Sequence, residues 1–158
     1  MYKNLENYIK VYDNSIDTNI CKQTVLELQN STDWQQHVFY NNISNIFAPR
    51  EASRELDVSF AEVSTRNSLN ECISLALKKY IDELNFSWFT TFKAHTYPRY
   101  NRYNSNKLMA LHCDHIHSMF DGNLKGIPIL TVIGLLNENY SGGELILFED
   151  SEIGRSVV

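Results

Sequence analysis

An imidazole and a carboxylate stand two residues apart at His112 and Asp114. Side chains in a β-strand alternate between faces, so these two are expected to point the same way while Cys113 points the other way. One imidazole and one carboxylate on a shared face make two of the three ligands of a 2-His-1-carboxylate site for non-haem Fe(II). The third ligand has to come from elsewhere in the fold.

The surroundings of this pair make it more specific than an isolated His-x-Asp, which is more often a surface-strand histidine beside a solvated aspartate. Tyr103 stands nine positions before His112. An aliphatic run follows at 128–136, and Asn137 then leads into Gly142-Gly-Glu-Leu145.

The order Tyr…Met-x-x-His-x-Asp…Leu-Thr-Val…Leu-Asn…Gly-Gly-Glu-Leu resembles the prolyl-4-hydroxylase-like 2-oxoglutarate/Fe(II) oxygenases, and the small phage-encoded versions most of all. The match is dense from about Tyr97 to Phe148. The resemblance implies a double-stranded β-helix (jelly roll). It also implies hydroxylation of a protein side chain such as peptidyl proline, with release of succinate and CO2. Fe(II) and 2-oxoglutarate are the implied cofactor and cosubstrate, and ascorbate is a further candidate.

The resemblance also implies roles for single residues. His112 and Asp114 are the expected iron ligands and catalytic residues, and Tyr103 stands where the family's tyrosine contacts 2-oxoglutarate. An aromatic residue in the barrel wall is the competing interpretation of Tyr103. Thr131, on the neighbouring strand, could add a hydroxyl donor. Some relatives have a tyrosine at the position of Leu135, which cannot donate a hydrogen bond.

The C-terminal part departs from the family pattern. The family places a second histidine, and then an Arg or Lys that pairs with the 5-carboxylate of 2-oxoglutarate, after Gly-Gly-Glu-Leu. No histidine follows His117, the sequence stops at Val158, and Arg155 stands too early for the cation. His115 would face away from the metal in a continued strand, and His117 would face it only if the strand is unbroken. We therefore predict a C-terminally truncated chain that binds iron weakly.

Composition indicates one domain over residues 1–158, with 43% apolar and 21% charged residues. The net charge of −5 argues against a surface that coats nucleic acid, although a local basic groove is conceivable. We expect a protein or small-molecule substrate, no membrane association and a cytoplasmic location, in a host cytoplasm if a phage encodes the chain. The three cysteines have no paired spacing and are expected to be reduced. The residues that could line the groove are Lys93, Arg99, Arg102 and Lys107.

Periodicity predicts an α+β domain, with helical and strand support over 1–86 and a jelly-roll core over 87–158. Asp17 is the expected N-cap of a first helix, and Ser68 to Glu71 is a capping box that predicts a second. Between them, residues 34–47 fit a strand, a turn at Asn41-Asn42 and then either a further strand or an irregular segment. A loop is predicted over 48–64, and His37 is expected to be a partly exposed scaffold residue. The later strands are predicted near 88–97, 99–103, 107–114, 127–136 and 144–149. The strand at 127–136 is nearly continuous in apolar residues, so we expect it to be buried on both faces.

Other functions fit parts of the pattern. A nucleobase or small-molecule hydroxylase stays open within the oxygenase class, because the substrate loops carry no readable signal. A non-catalytic jelly-roll module for binding or virion structure would keep the scaffold without the missing ligand. A zinc hydrolase is less favoured, because zinc sites usually use three protein ligands and only two are identified.

Overall fold

The computed structural model describes residues 5–41, 43–87, 89, 91, 94–110, 112, 114, 129–147 and 155–157. These residues form a small α+β protein with two helices and antiparallel sheets, which confirms the predicted α+β class. The helices are α1 (Thr18–Gln29) and α2 (Arg66–Leu84), preceded by a 3-10 turn at Leu5–Tyr8. The strands are β1 (Gln35–Gln36), β2 (Phe39–Asn41), β3 (Ile46–Ala48), β4 (Asp57–Ser59), β5 (Tyr100–Arg102), β6 (Leu145–Leu147) and β7 (Arg155–Val157).

Helix α1 begins where the sequence predicts. The Asp17 carboxylate accepts a hydrogen bond from the Asn19 amide at 2.8 Å, as an N-cap does. Such a cap stabilises a helix by about 1 kcal/mol because it satisfies an amide that has no partner within the helix. Thr24 and Leu28, four residues apart, are the buried positions of this helix.

Helix α2 begins two residues earlier than the predicted capping box. Thr65 is its N-cap, so Ser68 lies inside the first turn and the capping-box prediction is wrong. The Thr65 hydroxyl does not cap the helix; it lies 2.6 Å from the hydroxyl of Thr24 and joins the start of α2 to α1. Asn85 ends the helix with a left-handed φ of 48°, a conformation that asparagine tolerates better than most residues.

A three-stranded antiparallel sheet in the order β1-β4-β5 lies next to the helices in sequence and in packing. Its central strand, β4, falls within the segment 48–64, so the prediction of a loop there is wrong. Val58 and Ser59 of β4 are buried, and Val58 pairs with Asn101 of β5. The prediction failed because the apolar stretch is only three residues long and its strand character comes from two partners distant in sequence.

The main core joins both helices to this sheet. Leu28 of α1 and Leu69 of α2 pack with Val63 and with Tyr100 of β5. Partly buried apolar residues surround this cluster: Ile16, Ile20, Trp34, Ala61 and Leu136. The core therefore brings the strand that leads to Tyr103 against both helices.

Two hairpins complete the described structure. Strands β2 and β3 pair antiparallel, so within 34–47 the turn is followed by a further strand and not by an irregular segment. Strands β6 and β7 also pair antiparallel, and β6 confirms the strand predicted from residue 144. Among the described residues, no helix has the length and apolar character needed to cross a membrane.

Three predicted strands are not found in the described residues. Residues 129–136 form no strand, and Ile133 and Leu135 are 61% exposed, so the expectation of a strand buried on both faces is wrong. The described residues between 88 and 98 form no strand either. The Arg66 guanidinium lies 3.6 Å above the Tyr97 ring, so Tyr97 packs against the first residue of α2. The described residues of 107–114 contribute one isolated bridge, between Leu108 and Glu55.

Candidate active site

His112 and Asp114 face each other, as their spacing predicts. The Nε2 atom of His112 lies 2.9 Å from Oδ1 of Asp114. Neither residue lies in a regular strand, so the shared orientation comes from hydrogen bonds to other parts of the chain. His115 and His117, the other histidines near the pair, lie outside the described residues.

The second ring nitrogen fixes the tautomer of His112. Its Nδ1 lies 2.8 Å from the carbonyl oxygen of Ala110, which only accepts hydrogen bonds, so Nδ1 carries a proton. In the neutral ring, the lone pair on Nε2 then points at an oxygen of Asp114. Two acceptor atoms at this separation repel each other unless a proton or a cation is shared between them.

This donor pair fits a divalent metal ion. A histidine that ligates a metal usually donates its other N–H to a carbonyl or carboxylate, as His112 does to Ala110. Two ligand atoms about 2.1 Å from one ion and at right angles to each other are about 3 Å apart. A proton on Nε2 would satisfy the pair equally, as an imidazolium–carboxylate ion pair. The geometry therefore allows two chemical states that metal titration separates.

Thr131 reaches the pair from a distant part of the chain. Its hydroxyl donates a 2.7 Å hydrogen bond to Oδ2 of Asp114. This bond is the main reason that the pKa of Asp114 is lowered from its ordinary value; burial opposes it, and His112 and the positive charge of Arg99 assist. Asp114 is therefore ionised at neutral pH, as a metal-ligating carboxylate must be. The Thr131 hydroxyl therefore contacts Asp114, the expected metal ligand, and its role toward 2-oxoglutarate stays a prediction.

Tyr103, the residue predicted to contact 2-oxoglutarate, is 51% exposed. Partial burial of its ring raises the pKa of its phenol, while the charge of Arg99 opposes the increase. The hydroxyl therefore keeps its proton at neutral pH and can donate a hydrogen bond to a carboxylate. Arg99 influences the pKa values of both Tyr103 and Asp114, so one cation acts on the expected cosubstrate residue and on the expected metal ligand.

No family model, curated protein or solved structure matches the chain. The resemblance to the 2-oxoglutarate/Fe(II) oxygenases therefore stays a prediction from the sequence motif. Among the described residues, no group of three or more His, Cys, Asp and Glu side chains converges as a metal site would require. Within the described residues His112 and Asp114 meet as a pair, and their role as metal ligands stays a prediction.

An aromatic residue connects the pair to the N-terminal half. The Phe39 ring lies 5.4 Å from the ring of His112 and 4.5 Å from that of His37. The Arg50 guanidinium covers the Phe39 ring at 4.4 Å. His37 is 7% exposed, so the prediction of a partly exposed scaffold histidine is wrong. Burial, followed by the charge of Arg99, lowers the pKa of His37 and keeps its ring neutral at neutral pH.

Sequence reasoning missed Phe39 and Glu55 as neighbours of the pair. Glu55 is fully buried, and its Oε1 accepts a hydrogen bond from the amide of Ala110 at 3.2 Å. No local pattern identifies it, because it lies in a stretch of mixed charges that carries no helical or strand period. A local pattern does indicate Phe39, because it lies in a hairpin whose two strands both contain apolar residues.

Proposed function

We propose that this chain carries the metal-binding half of a 2-oxoglutarate- and Fe(II)-dependent dioxygenase site that hydroxylates a protein side chain such as peptidyl proline. The observation that supports the proposal most is the 2.9 Å approach of His112 Nε2 to Asp114 Oδ1 with Nδ1 turned to a carbonyl. The motif resemblance from Tyr97 to Phe148 supports it independently. The jelly-roll arrangement and a cytoplasmic location are part of the same proposal.

In this proposal His112 and Asp114 would hold the iron. When bound, Fe(II) and 2-oxoglutarate would supply the oxidising chemistry with O2 as the oxidant: one oxygen atom goes to the hydroxylated substrate and the other to succinate, and CO2 is released. Thr131 donates to one oxygen of Asp114, and the other oxygen, which faces His112, would ligate the iron. Tyr103 would donate a hydrogen bond to a carboxylate of the keto acid, and Arg99, whose charge acts on Tyr103, would add positive charge there.

The proposal assigns two ligands among the described residues, so the experiment measures the affinity for iron directly. We expect anaerobic titration with Fe(II) and 2-oxoglutarate to give the visible charge-transfer absorption of a 2-keto acid chelated to Fe(II). His112→Ala and Asp114→Ala should each abolish it. His95→Ala is the matched control, because His95 hydrogen-bonds Ser74 of α2 instead of the pair, and it should titrate like the wild type. Equal iron uptake by the wild type and His112→Ala would refute the proposal.

A non-catalytic binding module is the second candidate. It is favoured by the absence of a third converging ligand among the described residues and by the exposed apolar side chains of 129–147. It predicts that His112 and Asp114 form a plain ion pair. In that case Fe(II) gives no saturable signal, and no succinate forms from 2-oxoglutarate.

A further inference from the structure

The carboxylate of Glu55 is fully buried, and both of its oxygens accept hydrogen bonds. Oε2 accepts hydrogen bonds from the amides of Arg50 and Glu51 at 3.2 and 3.4 Å. Oε1 accepts from the amide of Ala110 at 3.2 Å. The His37 ring nitrogen nearest to Oε1 is 4.0 Å away, beyond hydrogen-bond distance. A buried carboxylate is costly unless it is hydrogen-bonded, and here backbone amides do this.

Backbone hydrogen bonds also join the chain around Glu55 to the chain around Leu108. Leu56 donates its amide to the carbonyl of Leu108 at 2.9 Å, and Leu108 donates to the carbonyl of Arg54 at 2.8 Å. The side chain of Glu55 then extends this attachment two residues further, to Ala110. A chain segment that forms no regular strand thus has a fixed path as far as Ala110.

Ala110 links Glu55 to His112 through its two backbone groups. Its amide donates to Glu55, and its carbonyl accepts the proton of His112 Nδ1 at 2.8 Å. The opposite ring nitrogen meets Asp114. A continuous series of hydrogen bonds therefore runs from the loop at residues 50–51 through a buried carboxylate to the imidazole.

We infer that Glu55 is a positioning residue, which holds the Ala110 backbone so that His112 keeps Nε2 turned toward Asp114. Its relevance to metal binding rests on the proposed function. The orientation of the ring does not, and it can be tested without metal. Glu55 touches neither metal nor substrate in this scheme.

The chemistry of the site explains why a carboxylate is needed. Three amide donors converge on two acceptor oxygens, whereas glutamine offers one oxygen and one NH2 group. In Glu55→Gln the remaining oxygen can still accept the hydrogen bonds from the amides of Arg50 and Glu51. The NH2 group then faces the amide of Ala110. Two donors repel, so this nearly isosteric change acts mainly on Ala110.

NMR of the metal-free protein tests the inference. In the wild type we expect a scalar coupling across the hydrogen bond between the Ala110 amide nitrogen and the Glu55 carboxylate carbon, slow exchange of that amide, and ¹⁵N shifts of His112 that show a protonated Nδ1. Glu55→Gln should speed the exchange and change the ring shifts. Thr24→Val is the matched control: Thr24 is equally buried, its hydroxyl meets Thr65, and its loss should leave His112 unchanged.

Fe(II) titration then separates the two proposals. Glu55→Gln should weaken Fe(II) binding by about tenfold or more, as the loss of an outer ligand contact does, while Thr24→Val should bind like the wild type. Unchanged Ala110 exchange and His112 shifts in Glu55→Gln, or absence of the coupling in the wild type, overturn the inference. If the ring shifts change but the wild type binds no more Fe(II) than His112→Ala, the positioning role stands and the proposed function fails.

Discussion

Apolar side chains have different surroundings in two regions of this molecule. Where α1, α2 and the three-stranded sheet meet, Leu69 is 4% exposed and packs with Leu28 and Tyr100. In the segment 129–147, Ile133 has a similar character but is 61% exposed. Hydrophobicity therefore leads to burial only where the fold supplies a facing surface.

One residue of the candidate site is supported by a buried side chain and the other by a residue of the exposed segment. His112 is held through Ala110 by the fully buried Glu55, and Asp114 is held by Thr131 of the exposed segment. We therefore expect the orientation of the imidazole to resist change more than that of the carboxylate.

The largest expected effect tests the packing difference itself. Leu69→Ala should lower the free energy of unfolding by about 2–5 kcal/mol, because it leaves a cavity between both helices and the sheet. Ile133→Ala should change it by less than about 0.5 kcal/mol, as exposed positions do. Urea denaturation of both variants measures the contrast. Similar losses would mean that residues 129–147 are covered in solution.

A smaller effect is expected where the exposed segment meets the site. Thr131→Val removes the hydroxyl that is the main cause of the lowered pKa of Asp114, so that pKa should rise toward 3.8. A lowered folded pKa stabilises the protein above the unfolded pKa, and this contribution is lost as the pH falls through the folded pKa. The variant should therefore lose less stability on acidification than the wild type.

Carboxyl ¹³C titration of Asp114 measures the shift directly. Thr131→Ser keeps the hydroxyl and should preserve the wild-type pKa. If Thr131→Val titrates like the wild type, the contact between the exposed segment and the pair does not persist in solution.

The smallest effect concerns a solvent-exposed hydrogen bond between the N-terminal segment and α2, outside the candidate site. The Tyr12 hydroxyl donates to Glu83 of α2 at 2.9 Å, and burial, followed by this bond, raises the pKa of Tyr12 to about 12. A raised pKa means that stability is fully present below the unfolded value of 10 and is lost as the pH rises toward 12. Tyr12→Phe removes this dependence and should cost at most about 1 kcal/mol at neutral pH.

Urea denaturation of both proteins from pH 8 to 12 checks this expectation. Lysine deprotonation affects both proteins, so the difference between them reports Tyr12. Parallel stability curves would contradict the assigned hydrogen bond.

Local signals predicted the parts of the fold that depend on neighbouring residues. The Asp17 cap and the hairpin of β2 and β3 need only residues close in sequence, so their patterns were readable. Strand β4 was missed because both of its partners are distant in sequence. The apolar run at 129–136 was assigned a buried strand because periodicity reports hydrophobicity and not the presence of a partner.

The sequence by itself determined the chemistry of the candidate site: an imidazole and a carboxylate two residues apart, in a motif that includes Tyr103 and Thr131. Spacing of two places such groups within reach of each other whenever the backbone between them is extended. Only the tertiary structure decided the hydroxyl on Asp114 and the support from Glu55. These depend on hydrogen bonds between residues 17 to 55 positions apart, and no local pattern encodes which distant donor meets which acceptor.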